Sequence, residues 1–439
     1  MRDAGDEVER LARAAARGVH EVSLGLDGRV PPHARLTAGV RRRRRHRRVA
    51  VAITSVAVAG VAFSALPGDV APLVPIIGQE LDPTPSPAPS RDTEEGRPCE
   101  VGARDDHDHE VEVEVEGWEQ LTPPPAPRAR AASVWVEDRL LLIGGESRPG
   151  FTHDDTFAYD PDEDEWSCAP PAPFSSSLGA TAIGNGEVYL VAQGRAAAFD
   201  VTMRTWRRLP DPPIRGTPMI AAWTGDRLLV WGSRTRGPAS RAGAVYDPVA
   251  DDWEPIADAP LGINVGEAVW TGEAMIAVGA EQTAANVSSS ATAQAVAYDP
   301  ARDEWRPLPE PGLSPQYVTV TWVGEHVIAV DEEHAATAYD LDANAWVRLD
   351  EIPGRGTGGW AATALGDGRV VVFDGVDMAL LESGASTWTV IETPASAGAT
   401  ASDARVITGR PVSTNGAVIF VGATQEGDAD RAWRYTPPD

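Results

Sequence analysis

Seven residues of this 439-residue chain put a useful side chain in a candidate loop: Arg148, His153, Arg215, Arg234, Arg236, Arg241 and Arg355. Six are guanidinium forks, which donate two parallel hydrogen bonds to a carboxylate or a phosphate. Their chemistry is the recognition of anions, not the breaking of bonds. Other constellations are thinner. His153 with Asp154 and Asp155 could ligate a metal, but one loop histidine beside two aspartates is ordinarily plain surface. The run Asp105-Asp106-His107-Asp108-His109-Glu110 is denser in donors, yet flexible acidic stretches are usually only solvated. Ser175-Ser176-Ser177 lies in no Gly-x-Ser-x-Gly elbow. The chain has no lysine, which excludes a lysine Schiff base. Neither a metal site nor a cofactor is expected. Cys99 and Cys168 are the two cysteines, and outside the cytoplasm they could form one disulfide.

The elements that carry these loops are set by a repeat. Tyr159-Asp160-Pro161 is followed, seven residues after the tyrosine, by Trp166. The spacing returns as Phe199 and Trp206, Tyr246 and Trp253, Tyr298 and Trp305, Tyr339 and Trp346, and in worn form as Leu381 and Trp388. A turn signal in fixed register with two aromatics, at a period of 40 to 52 residues, marks a repeat architecture. Short apolar runs before each tyrosine suit a buried strand, and Asp-Pro turns the chain. Upstream lies a second hairpin in each copy. Ser133-Val134-Trp135, then Glu137-Asp138, then Leu140 to Ile143 is the clearest, and Gly225-Asp226, Gly272-Glu273 and Asn415-Gly416 hold the same turn. Four strands per copy, seven times, predict an all-β, seven-bladed propeller over residues 111–439. The last copy stops at Tyr435, short of its tryptophan, while Trp118 has no strands before it. The N-terminal strand is therefore expected to complete the C-terminal blade and remove the last free sheet edge. The alternating Val111 to Glu116 is read as a strand leading into it.

The run Ala132 to Trp166, with Gly144-Gly145 and Tyr159-Asp160-Pro161…Trp166, resembles a kelch repeat of the galactose-oxidase/kelch propeller superfamily. That resemblance implies a propeller whose function rests in its loops. A galactose-oxidase-like site would need a Tyr–Cys crosslink and copper ligands from Tyr and His. The propeller region holds one cysteine, Cys168, and only His153, His326 and His334, so that chemistry is not expected here.

The charge is split along the chain. Residues 1–48 carry 13 Arg against 6 acids; residues 49–439 carry 25 Arg against 59. The first segment reads as a cytosolic tail with a short helix over Glu7 to Glu21. Arg41 to Arg48, broken only by His46, abuts 18 uncharged residues, Val49 to Leu66. Together these predict a single transmembrane helix over 49–66 with its basic flank in the cytoplasm. The order of short helix, Pro-containing linker, Arg run and apolar span resembles the start of actinobacterial membrane proteins, some of them anti-sigma-like. Residues 67–110 read as a Pro-rich and acidic extracytoplasmic linker.

In a blade of four antiparallel strands the first and third turns share one face, and the second turn and the inter-blade connections share the other. The first face is acidic in sequence, with only Arg204 and Arg302 in its turns to offset it. The second holds most of the loop arginines and the longest loops, where binding usually resides. The expected function is a membrane-anchored extracytoplasmic binding propeller. Its partner would be a protein, a peptide or an anionic cell-wall glycan, with no nucleic acid. A transmembrane sensor whose residues 1–48 hold a cytosolic partner, and a propeller enzyme of the lyase, epimerase or oxidase class, are the alternatives.

Overall fold

The computed structural model describes residues 115–126, 128–148, 150–233, 240–263, 265–280, 292–315, 317–354, 360–394, 411–423 and 430–438. They form seven four-stranded antiparallel sheets. Blade one runs Ala132–Val136, Arg139–Ile143, Thr156–Asp160 and Glu165–Ala169, from the axis outwards. Blades two to six follow the same order, their first strands beginning at Ala180, Ile220, Val265, Thr319 and Ala361. The first strands of consecutive blades touch all the way round, and blade one meets blade seven. The ring is closed. The predicted helix over 7–21, the span over 49–66 and the linker lie outside the described residues. Among the described residues no helix is long and apolar enough to cross a membrane.

Blade seven has the predicted composite form. Its strands are Pro411–Ser413, Val418–Ala423, Asp430–Tyr435 and, from the other end of the propeller, Trp118–Leu121. Trp118 pairs with Tyr435 and Leu121 with Ala432. The strand begins later than the Val/Glu alternation suggests. Val115 is buried in a turn, and its carbonyl accepts a bond from Trp118 N–H at 3.0 Å. Residues 111–114 lie outside the described residues.

Two devices inside the repeat explain its spacing. The tryptophan of each outermost strand donates its indole N–H to the carbonyl of the residue four places after the preceding blade's tryptophan. Trp166 reaches Thr122 at 2.8 Å, Trp206 reaches Pro170 at 2.9 Å and Trp253 reaches Pro210 at 2.7 Å. Trp305, Trp346 and Trp388 reach Ala257, Pro309 and Asp350. Trp118 reaches Glu392 at 2.9 Å, which makes the circle of seven complete. Each such bond contributes about 1 kcal/mol and stitches one blade to the next.

The second device is the buried tyrosine of the third strand. Tyr159, Tyr246 and Tyr298 donate their hydroxyls to Asp164, Asp251 and Asp303, and Tyr339 donates to Asn344, each five residues on. These acceptors sit at φ 50–54°, a left-handed turn conformation that Asp and Asn tolerate best among residues with a side chain. One residue thus makes the turn and satisfies a buried hydroxyl. Burial first, and then the bond to Asp303, push the Tyr298 hydroxyl far above its usual value and keep it a donor.

The Gly-Gly doublet of blade one has a steric cause. Gly144 and Gly145 have φ of 66° and 92°. A Cβ on Gly144 would fall 2.6 Å from Ser176 Oγ, and one on Gly145 would fall 2.9 Å from Ala129 O. Their backbone instead bonds the next connection, Gly145 N–H to Ser176 O at 2.8 Å.

Candidate functional site

Among the described residues, the loop face opposite the acidic turns is tied down by strand pairing and hydrogen bonds. Blade one adds a short hairpin there, Glu146–Arg148 with Phe151–Thr152, inside the loop between its second and third strands. His153 follows it. Its Nε2 lies 2.8 Å from Ser147 Oγ, and its backbone bridges Ser176. Asp155, beside it, takes Arg128 at 2.5 Å, and Arg130 reaches Glu146 at 3.4 Å. The His153-Asp154-Asp155 trio is therefore occupied in holding loops together. Arg148 lies in this hairpin, and its side chain is outside the described set. Arg195, on blade two, stacks 4.7 Å over the Phe174 ring and bonds Ser175 O and Gln193.

Blade three differs. Arg215, in the connection that enters it, and Arg241, before its third strand, are both exposed. Their backbones are fixed: Ser233 Oγ donates to Arg215 O at 2.6 Å, and Arg241 O receives Trp231 Nε1 at 3.2 Å and Ala259 N–H at 3.0 Å. Neither guanidinium has a carboxylate partner among the described residues. Arg234, Arg236 and Arg355 lie outside the described residues. The structure thus brings Arg215 and Arg241 onto one blade and leaves His153 two blades away.

The acidic face is less negative than its turns suggest. Arginines on the strands (Arg139, Arg207, Arg434) and at the ends of two first turns (Arg227, Arg369) reach its carboxylates. Arg139 pairs with Asp160, Arg207 with Glu187, Arg227 with Asp247 and Glu254, Arg369 with Asp367, and Arg434 with Glu119. Several aspartates also cap their own turns, as Asp247 does by accepting Val249 and Ala250 N–H.

A second polar cluster on the loop face has no local sequence signature. Asp331 is 1% exposed and accepts the N–H groups of Ser314, Glu333 and Ala335. Burial, then the charges of Glu333 and Asp331, raise the Glu332 carboxyl. Burial also raises Asp374, against the N–H groups of Val376 and Asp377. Between blades four and five, buried Glu267 accepts Thr319 Oγ1 at 2.8 Å and Val320 N–H at 3.1 Å. No group of three or more His, Cys, Asp or Glu able to hold a metal occurs among the described residues. Cys168 is in a disulfide; Cys99 lies outside the described residues.

A family model for the Kelch motif matches residues 127–173, the blade with the Gly-Gly doublet. Kelch-like protein 35 of Mus musculus is 29% identical over 98 residues, which are 22% of this chain and 17% of that protein. Kelch repeat and BTB domain-containing protein 12 of Homo sapiens is 31% identical over 82 residues, 17% of this chain and 13% of that protein. The matches thus span less than a fifth of either relative. A solved structure described as a novel fungal alcohol oxidase of the AA5 family, in complex with copper, superposes with a TM-score of 0.55 at 14% identity. It covers 74% of this chain and 77% of that one, and the likeness is one of fold. The chain is a seven-bladed β-propeller that carries a kelch motif in its first blade.

Proposed function

We propose that this propeller is an interaction module carried outside a membrane by residues 49–66, and that it binds a protein, a peptide or an anionic cell-envelope glycan through its loop face. The observation that carries the reading is the pair Arg215 and Arg241. They are exposed, held by fixed backbone and without a carboxylate among the described residues, whereas Arg128 and Arg130 on the same face are paired. Arg148, His153, Arg234, Arg236 and Arg355 belong to the same set of loops. A guanidinium that is solvated in the free protein can exchange water for a partner's carboxylate without breaking an internal ion pair. Kelch relatives favour a protein partner. The disulfide at Cys168 favours an oxidising compartment, and Cys99 is its proposed partner, stapling the arriving linker to the outer edge of blade one.

The test is the double variant Arg215→Ser, Arg241→Ser in the full-length chain, compared with wild type for envelope protein or glycan co-purified with it after crosslinking and detergent extraction. Loss of the co-purified partner with an unchanged melting temperature supports the reading; undiminished co-purification overturns it. Alkaline phosphatase fused after Asp439 is expected to be active, and an inactive fusion in intact cells removes the extracytoplasmic placement.

A further inference from the structure

A cavity of about 170 Å³ opens on the turn face at the seam between blades one and two. Its apolar wall is Leu141, Ala158, Ala169, Phe199 and Val201. Glu137, Arg139 and Arg204 stand around it.

Three departures from the repeat make this space. Three residues after each tryptophan, six blades place a large aliphatic: Leu121, Leu209, Ile256, Leu308, Leu349 and Ile391. Blade one has Ala169. At the next seam Leu209 packs with Tyr246 and Trp253; here Ala169 leaves that room open against Phe199 and Trp206. Blade two also replaces the repeat tyrosine with Phe199, so no hydroxyl enters the seam. Its partner five residues on is Arg204, which keeps the left-handed turn at φ 52° although Asp or Asn holds that place in blades one, three, four and five. An arginine gains nothing from that backbone conformation.

Arg204 donates Nη2 to Cys168 O at 3.2 Å and has no carboxylate partner among the described residues. Arg139, by contrast, is paired with Asp160 at 2.9 Å. We infer that this seam is a binding site for a small carboxylate with a compact apolar body, such as an aryl or branched aliphatic monocarboxylate. The apolar body sits in the volume left by Ala169, and the carboxylate takes the fork of Arg204. The size fits, since an apolar cavity of ~150 Å³ accommodates a benzene-sized molecule.

Saturation-transfer NMR on the full-length protein with benzoate tests this, with benzylamine as the charge-reversed probe. Benzoate is expected to give a saturable signal and benzylamine none. Ala169→Leu, which restores the repeat residue, is expected to abolish the signal while leaving the near-UV spectrum unchanged. Arg204→Asp, which restores the repeat acid without filling the cavity, is expected to weaken benzoate by about tenfold or more, the effect of losing a charge-assisted bond. No saturable benzoate signal, equal binding of benzylamine, benzoate binding that survives Ala169→Leu, or benzoate affinity unchanged by Arg204→Asp overturns the proposal.

Discussion

Replacing Trp118 by alanine should loosen the ring where it closes. Trp118 is half-buried and lies 5.4 Å from Phe420 and 5.2 Å from Tyr435, ring centre to ring centre. Its indole N–H also ties blade seven to Glu392 of blade six. Truncating a fully buried aromatic to alanine costs about 3–5 kcal/mol. Partial exposure puts Trp118 at the low end, about 3 kcal/mol, and loss of the indole bond adds about 1 kcal/mol. The ion pair between Glu119 and Arg434 survives the change, and being exposed it contributes little. For a domain of this size the sum corresponds to a fall in melting temperature of about 5 °C or more. The assay is thermal unfolding by near-UV circular dichroism, with limited proteolysis in parallel. Val249→Ala, at a site 95% exposed, is the control and should change nothing. A Trp118→Ala protein that melts with the control would refute closure by the N-terminal strand.

Three further outcomes follow from the same geometry. Tyr298→Phe removes the hydroxyl bonded to Asp303, whose Oδ1 also accepts Ala257 N–H, so stability should fall by only about 1 kcal/mol in a denaturant titration; no change would deny the bond its role. Asp374 has its folded-state pKa raised, chiefly by burial, so the native chain holds that proton more tightly than the unfolded one, and its contribution to stability is lost as pH rises through that range. Asp374→Asn should therefore compare best with wild type at neutral pH and lose ground below the ordinary carboxylate range; a difference flat with pH would contradict this. Non-reducing peptide mapping should return one peptide joining Cys99 to Cys168, and free Cys99 would remove the staple.

The propeller was legible because its signals are local and repeated. Tyr-Asp-Pro and a tryptophan seven residues on can be counted, and Gly-Asp or Asn-Gly between apolar runs names a hairpin. The composite seventh blade followed from a tyrosine without a tryptophan and a tryptophan without strands. What stayed hidden depends on contacts distant in sequence. Asp164 and Asp303 read as surface turn residues, and only the fold reveals the tyrosine hydroxyl above each. Buried Asp331 stands in polar company that could equally face water, and buried Glu267 is one acid in the apolar run Val265 to Trp270 whose hydroxyl and N–H partners come from the next blade, so no local pattern names their contacts. The strand arginines Arg139 and Arg207, which pair with acids of the turn face, are invisible when turns are read alone. The loop face was only partly legible: topology placed Arg215 and Arg241 on it, but only the fold reveals that Arg128 and Arg130 are paired while Arg215 and Arg241 have no carboxylate partner among the described residues.

Site-specific photo-crosslinking in intact cells tests the account most directly. A benzophenone side chain at Arg241, on the loop face, is expected to trap a discrete partner, and the same group at Asp251, on the turn face of the same blade, is expected to trap none. Adducts from Asp251 alone, or from neither position, would contradict recognition through the arginine-bearing loops.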